Sequence, residues 1–315
     1  MDQQAQTEPG GAVKPFEVLL VGRYFCDLVF SGLPDLPRPG QEVYAHECHL
    51  VPGGVFTPAV ALQRLGVRTA WPCIFGSDPF SRFVRDEAIV QGLDAAFFED
   101  AGHPLLSLTV AYSLGEERAF LSYNDPRPEP PYESLLRSLK PAWLYLTHLV
   151  TGELFERLAA AAREAGSRIY MDCQWQSGTI EDAHVAEAIR SVDVFSPNEA
   201  EALALTGAAD IRAALARLAQ LAPMVVIKRG ASGCLYSQSG EVTQEEAIPV
   251  TVADTTGAGD NFNCGFLYGQ LRGYGLQEAL RIANICGGLS TTAPGGWAAS
   301  PAEGQMLGLL HSAAS

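Results

Sequence analysis

Asp254-Thr255-Thr256-Gly257-Ala258-Gly259-Asp260-Asn261-Phe262 is the stretch on which the reading of this chain turns. It follows a segment of β character, residues 246–252, and leads into an apolar run with helical character over residues 262–271. Two glycines and an alanine leave the backbone N–H groups of the turn uncovered. The first turn of a helix has N–H groups without intrahelical partners and a partial positive charge, so it receives an anion. A carboxylate at Asp260 is out of place if the turn only holds an anion. It makes sense if the anion is a phosphoryl group in transfer and Asp260 takes the proton of the attacking hydroxyl. A Gly-x-Gly-Asp turn alone is an ordinary structural turn; the nine-residue string is far rarer.

The rest of the composition bounds the answer. At 315 residues, with 47% apolar residues, the chain has enough material for a sizeable core, as one large α/β domain or two smaller ones. A formal net charge of −15 without a Lys/Arg block argues against nucleic acid as a partner. A nucleotide remains compatible, because backbone N–H groups and a metal ion hold phosphates locally. No run of eighteen apolar residues suggests a membrane span. Residues 1–14 are polar, unlike a signal peptide, and read as a flexible tail. Seven cysteines, an odd number and mostly within apolar runs, predict free buried thiols in a reducing cytoplasm. His46-Glu47-Cys48-His49 resembles a ligand cluster, but alternation along a strand sends its members to opposite faces, which argues against a metal.

Around the 254–262 string the chain alternates. Residues 16–22 read as a first strand, and residues 59–66 as a helix stopped by Gly66. Residues 29–51 and 105–123 carry half-buried β patterns and read as excursions into a small β element. Strands follow at 143–147, 168–172, 193–196, 224–228 and 233–238, with helices at 152–165, 181–189, 199–205 and 211–218. Helices over 277–291 and 301–310 complete the chain. This rhythm predicts βαβ units and a parallel sheet covered on both faces, with ligands beyond the carboxyl ends of the strands.

Several further groups fall at such ends. Ser196-Pro197-Asn198-Glu199-Ala200-Glu201 opens a helix, either as a cap with acidic residues in its first turn or as a metal-organising group. Val225 to Gly233 runs from a strand into a Gly-x-x-Gly turn, Gly230 to Gly233, which by itself is a tight hairpin with glycines at positive φ. Asp27, just after the first strand, can accept hydrogen bonds from vicinal hydroxyls of a polyol. His148 suits a cleft or a satisfied core position equally, and Arg118 and Asn124 read as a solvated edge or as lid contacts to substrate.

The string at 254–260 closely resembles the Asp-Thr-x-Gly-Ala-Gly-Asp signature of the ribokinase-like (PfkB) carbohydrate kinases, and it sits in the last quarter of the chain, as in that family. The resemblance spans nearly the whole sequence. It implies an α/β, ribokinase-like three-layer fold, residues 15–315 as one kinase domain, with a central mostly parallel sheet and a small β lid. It makes Asp260 the catalytic base and the backbone of Gly257, Ala258 and Gly259 the anion hole. Asn198 and Glu201 match the family's Asn-x-x-Glu, which organises Mg²⁺ through water. The Gly230–Gly233 turn would lie against the nucleotide, with Lys228 where relatives often carry Thr. Asn284 would border the nucleoside or else face solvent.

On the substrate side, the resemblance gives Asp27, Gly53, Gly54 and Thr57. Two departures stand out. Pro52 and Thr57 replace the Gly and Asn of Gly-Gly-x-x-x-Asn-x-Ala, and a hydroxyl offers less than an amide. Gln174 and Gln176 replace Asn and Arg in Asp-x-Asn-x-Arg, which argues against phosphorylated or acidic sugars. Thr255 and residues 292–296 match segments that hold K⁺ in relatives, and the lid implies a homodimer. The expected activity is ATP-dependent phosphorylation of a hydroxymethyl group on a small uncharged sugar or polyol. Two other readings stay open: a nucleoside kinase with an apolar grip around Phe56 and Trp175, and a catalytically silent sugar or nucleotide sensor. The intact Asp260 turn argues against the sensor.

Overall fold

The computed structural model describes residues 15–114, 117–174, 178–238 and 240–312. The tail 1–14, Trp175 and Gln176 lie outside the described residues, as does the side chain of Arg118.

Fourteen strands are described: β1 (Val18–Val21), β2 (Tyr24–Ser31), β3 (Glu47–Gly54), β4 (Thr69–Ala70), β5 (Cys73–Phe75), β6 (Phe98–Asp100), β7 (Ser107–Leu114), β8 (Glu117–Asn124), β9 (Trp143–Leu146), β10 (Arg168–Asp172), β11 (Val194–Ser196), β12 (Met224–Lys228), β13 (Cys234–Gln238) and β14 (Glu241–Glu245). Eight of them form one sheet in the order β14-β13-β12-β11-β10-β9-β1-β4. The six from β4 to β12 run parallel, and β13 and β14 add an antiparallel hairpin at one edge.

Successive side chains on a strand point to opposite faces, and here both faces are covered. Val18 and Leu20 pack into one layer, and Leu19 and Val21 into the other. Trp143 and Tyr145 oppose Leu144 and Leu146 in the same way, as do Met224 and Val226 against Val225 and Ile227. The first layer holds α1 (Phe56–Arg64), α2 (Pro79–Val90), α8 (Ala258–Leu271), α9 (Leu276–Ser290) and α10 (Glu303–Ser312). The second holds α3 (Tyr132–Leu139), α4 (Gly152–Ala165), α5 (Ala183–Arg190), α6 (Glu199–Thr206) and α7 (Ile211–Leu218). Each fully buried aliphatic side chain contributes about 1.5–3 kcal/mol to that packing.

A second sheet, β3-β2-β7-β8, stands on the main body as a lid. Its strands reach beyond residues 29–51 and 105–123, because β2 begins at Tyr24 and β3 ends at Gly54. Six of the seven cysteines are buried; Cys48, on β3, is exposed, and none is in a disulfide. No helix among the described residues is long and apolar enough to cross a membrane.

Two differences from the sequence reading have physical causes. Residues 246–252 form no strand: Cys234 pairs with Glu245, and the chain beyond Cys234 turns away at Gly233, so there is no partner strand left. Pro249 could not donate to a ladder in any case. Helices α2 and α3 are additional. The start of α2 is fixed by Asp78, whose carboxylate accepts from Phe80 N at 3.1 Å and Ser81 N at 2.9 Å, with Pro79 in the first helical position.

Candidate active site

Helix α8 starts at the signature string, four residues earlier than its apolar run suggests. Its N-cap, Gly257, has φ +68° and brings no capping side chain. The Gly259 and Asp260 N–H groups of the first turn are therefore left for an outside acceptor, while Ala258 N donates to Thr255 O at 3.3 Å. A Cβ on Gly257 would stand 2.6 Å from Gly296 O, so only glycine fits here. Asn261 holds the turn against the late loop, its Nδ2 donating to Gly257 O and to Gly296 O, both at 2.9 Å.

Asp260 sits in that first turn. It is half-buried by its accessible surface yet closely surrounded by protein, and burial is the largest cause that pushes its pKa up to about 7. The negative charges of Asp172 and Glu201 push the same way, and Lys228 opposes them. A base poised near neutral pH is suited to taking a proton from an alcohol in the transition state.

A buried polar cluster lies alongside. Lys228 Nζ donates to Asp172 Oδ1 at 2.7 Å and to Asn263 Oδ1 at 3.3 Å. Asn263 Nδ2 donates to Asp172 Oδ2 at 2.6 Å and to the Tyr145 hydroxyl at 2.9 Å. The hydroxyls of Tyr170 and Ser196 close the network on Asn263 Oδ1 at 2.7 and 3.2 Å. A Cβ on Gly259 would be 3.4 Å from Lys228 Nζ, which places the ammonium against the α8 turn. Sequence reasoning singled out Lys228, placed residue 172 at a strand end and Ser196 at the head of a helix, and missed Asn263, Tyr145 and Tyr170. One signal was available: Asn263 is polar within the apolar run of α8, and there it is completely buried.

Asn198 and Glu201 form a capping box at the start of α6: Glu201 N donates to Asn198 Oδ1 at 2.9 Å, and Asn198 N to Glu201 Oε2 at 2.8 Å. The cap reading of this segment therefore holds, but it engages only one Glu201 carboxylate oxygen. Burial raises the Glu201 pKa, with Lys228 opposing. Hard oxygen donors in such small number suit Mg²⁺ that keeps its waters and rides on phosphates. Among the described residues no cluster of three or more His, Cys, Asp or Glu could hold a metal by itself, the 46–49 segment included.

Gly230 and Gly233 have φ of +54° and +71°, as a tight turn requires, and a Cβ on Gly233 would meet Glu245 O at 2.0 Å. Asn284 does not face solvent. It is buried, its Nδ2 reaching Glu245 O at 3.3 Å and Cys234 Sγ at 3.9 Å, and it ties α9 to the β13–β14 hairpin.

On the lid side, Asp27 packs against Gly53 so closely that a Cβ there would lie 2.1 Å from its Oδ2. Burial pushes the Asp27 pKa up to about 6, partly offset by a hydrogen bond with Thr109. Gly54 (φ +62°) turns the chain into α1, whose buried Thr57 has its Oγ1 3.1 Å from where a Gly296 Cβ would be. Thr57 thus connects the Asp27 side to the Gly257–Gly296 contact. Phe56 is fully buried, edge-on to Trp71 and Trp297. His148 is half-buried behind Asp172, and Asn124 accepts from Ser107 Oγ at 3.4 Å.

The chain is 28% identical over 279 residues to a fructokinase of Klebsiella pneumoniae, covering 79% of this chain and 89% of that one. It is 32% identical over 334 residues to a ribokinase of Arabidopsis thaliana, covering 98% of this chain and 85% of that one. A solved structure of Arabidopsis thaliana ribokinase, complexed with ribose and ATP, superposes with a TM-score of 0.81 at 22% identity, over 95% of this chain and 99% of that one. Residues 20–303 match the family described as pfkB family carbohydrate kinase, with the uncapped α8 turn and Asp260 inside the matched span, and the chain belongs to that family of sugar kinases.

Proposed function

We propose that this protein transfers the γ-phosphoryl group of ATP to a hydroxymethyl group of a small uncharged sugar or polyol. The observation that carries this reading is Asp260, its pKa raised to about 7, in the first turn of a helix that has no capping side chain. Asp260 takes the hydroxyl proton, a role worth roughly 10²–10⁴-fold in rate. The N–H groups of Gly257, Ala258, Gly259 and Asp260 receive the charge on the transferred group; one such donor is typically worth about 3–4 kcal/mol. Asp27, beside Gly53, accepts hydroxyls of the sugar, with Gly54 and Thr57 further along the pocket. Lys228 and the Gly230–Gly233 turn face the nucleotide phosphates, and Asn284 meets the nucleoside through its remaining oxygen.

Asn198 and Glu201 would hold Mg²⁺ through water, where the ion neutralises phosphate charge. The loops at 253–256 and 291–296 are clamped by Ala253 N and Asp254 N on Thr291 O at 2.7 and 3.0 Å, and by Gly295 N on Asp254 Oδ2 at 2.9 Å. Beside them Ser300 Oγ is buried without a partner, and these segments would hold K⁺. Two copies would join through the lids, whose strands expose Leu50, Phe120, Leu121 and Tyr123. The free buried thiols fit a cytoplasmic protein.

The test is ADP release from MgATP over a panel of sugars, polyols and nucleosides, with Asp260→Asn in parallel. Turnover of a sugar that is lost in the variant supports the assignment. Turnover of nucleosides alone, or undiminished turnover in the variant, overturns it.

A further inference from the structure

A cavity of about 110 Å³ has Gly22, Arg23, Tyr24, Arg127, Tyr132 and His148 among its lining residues, and Asp260, Asp172, Lys228 and Asn263 are not among them. It sits at the root of the lid: Gly22 and Arg23 link β1 to β2, and Arg127 follows the end of β8. Neither arginine forms an ion pair among the described residues. Arg127 lies with its guanidinium carbon 4.8 Å from the Tyr24 ring centroid, reaches Asn124 Oδ1 only at 3.5 Å, and keeps a buried Nε without a partner. The nearby Asp125 is engaged elsewhere, by the Tyr123 hydroxyl at 2.7 Å and Leu106 N at 2.8 Å. Glu129 also lines the cavity, and its Oε2 is taken by Arg157 at 2.6 Å.

With 36 acidic against 21 basic residues, carboxylates are abundant, and Arg157, Arg229, Arg272 and Arg281 each pair with one, which Arg23 and Arg127 do not. Two arginines that line one cavity, neither of them ion-paired with the Glu129 carboxylate there, leave donors suited to an outside oxyanion, for which the planar fork is the preferred partner. Pro126 and Pro128 flank Arg127 and restrict its backbone, so little ordering entropy is lost on binding. Burial and the nearby Arg23 lower the pKa of His148, which leaves it a neutral imidazole able to donate one N–H.

We propose that this cavity is an oxyanion subsite, in which Arg23 and Arg127 hold a carboxylate or phosphate group at the root of the lid. Gln176 supplies no charge of the kind that would receive an acidic sugar; these arginines supply it from other elements. The group is carried either by a separate small anion or, against the expectation of an uncharged sugar, by the far end of the substrate.

The experiment is thermal unfolding of the full chain, titrated with inorganic phosphate, with gluconate and with neutral sorbitol at constant ionic strength. Wild type, Arg23→Gln and Arg23→Glu are compared, and the variants first have to melt like wild type without anion; Arg127→Leu serves as a second probe if they do not. The expected result is a saturable rise in melting temperature with an anion but not sorbitol, with affinity at least tenfold weaker in Arg23→Glu. If gluconate is also phosphorylated, with kcat/KM falling tenfold in Arg23→Gln while a neutral sugar is unaffected, the group belongs to the substrate. If phosphate binds and only neutral sugars turn over, the anion is a separate ligand. Equal anion affinity in wild type and Arg23→Glu, or no saturable shift, overturns the proposal. The binding arm needs no turnover, so failure of the kinase reading remains distinguishable from failure of the subsite.

Discussion

Lys228 Nζ lies 2.7 Å from Asp172 Oδ1, and both side chains are about nine-tenths buried, at 11% and 8% exposure. A buried pair of this kind is costly to break singly, because the surviving charge is left without compensation. Lys228→Met is expected to destabilise the fold by about 3–5 kcal/mol. Adding Asp172→Leu to that variant recovers part of the loss. Urea unfolding of the two single variants and the double variant measures the coupling, and additive losses would show that the two side chains do not act as a pair.

Asp260 carries a pH signature of two kinds. Its pKa of about 7 predicts a kcat that rises with pH and levels off above neutrality. In the fold the acid form is favoured relative to the unfolded chain, so ionising Asp260 costs stability. The cost is fully present above the folded pKa and absent below the unfolded value of about 4. Asp260→Asn therefore raises the melting temperature at pH 8 and has little effect at pH 4, while turnover falls roughly 10²–10⁴-fold. Calorimetry at both pH values checks the sign.

Gly53→Ala forces a methyl group against Asp27 Oδ2, where the ideal position lies 2.1 Å away. The carboxylate has to move. The KM for sugar is expected to rise at least tenfold while the KM for ATP stays within twofold, a change of about 1.4 kcal/mol or more in sugar binding alone. Steady-state kinetics in both substrates separates the two.

Glu201→Gln keeps an acceptor for Asn198 N and removes the charge. Its melting temperature should match wild type to within about 0.5 kcal/mol of stability, whereas Glu201→Ala loses the box at a cost of about 1 kcal/mol. Both variants should need more Mg²⁺ for half-maximal turnover. A Mg²⁺ titration unchanged in Glu201→Gln would confine Glu201 to its capping role.

Much of this was legible in the sequence where the signal is local. Residues 152–165, 168–172, 211–218 and 224–228 form the predicted elements with the predicted bounds. Each has a clear period, and the helices carry explicit ends, Gly166 in the left-handed region and Asp210 accepting from Ala213 N. The Asp260 turn was legible for the same reason, since one short string contains it. The polar cluster was not. Asp172 and Lys228 are 56 residues apart, and Asp172 and Asn263 are 91 apart, so only the finished sheet brings them together. The Asn198 segment was legible as a cap, because the capping box lies within four consecutive residues. Residues 246–252 misled because β propensity says nothing about whether a partner strand is left to pair with.

The distribution of the cysteines has a practical consequence. Burial pushes the thiols of Cys26, Cys73, Cys173, Cys234, Cys264 and Cys286 up, so their nucleophilic thiolates are suppressed at neutral pH. Cys48 is the one exposed thiol among the seven, and it stands on β3, a strand of the lid. A maleimide fluorophore would therefore label the native chain at a single site without any substitution, and its emission would report directly on whether the lid moves when sugar or nucleotide arrives.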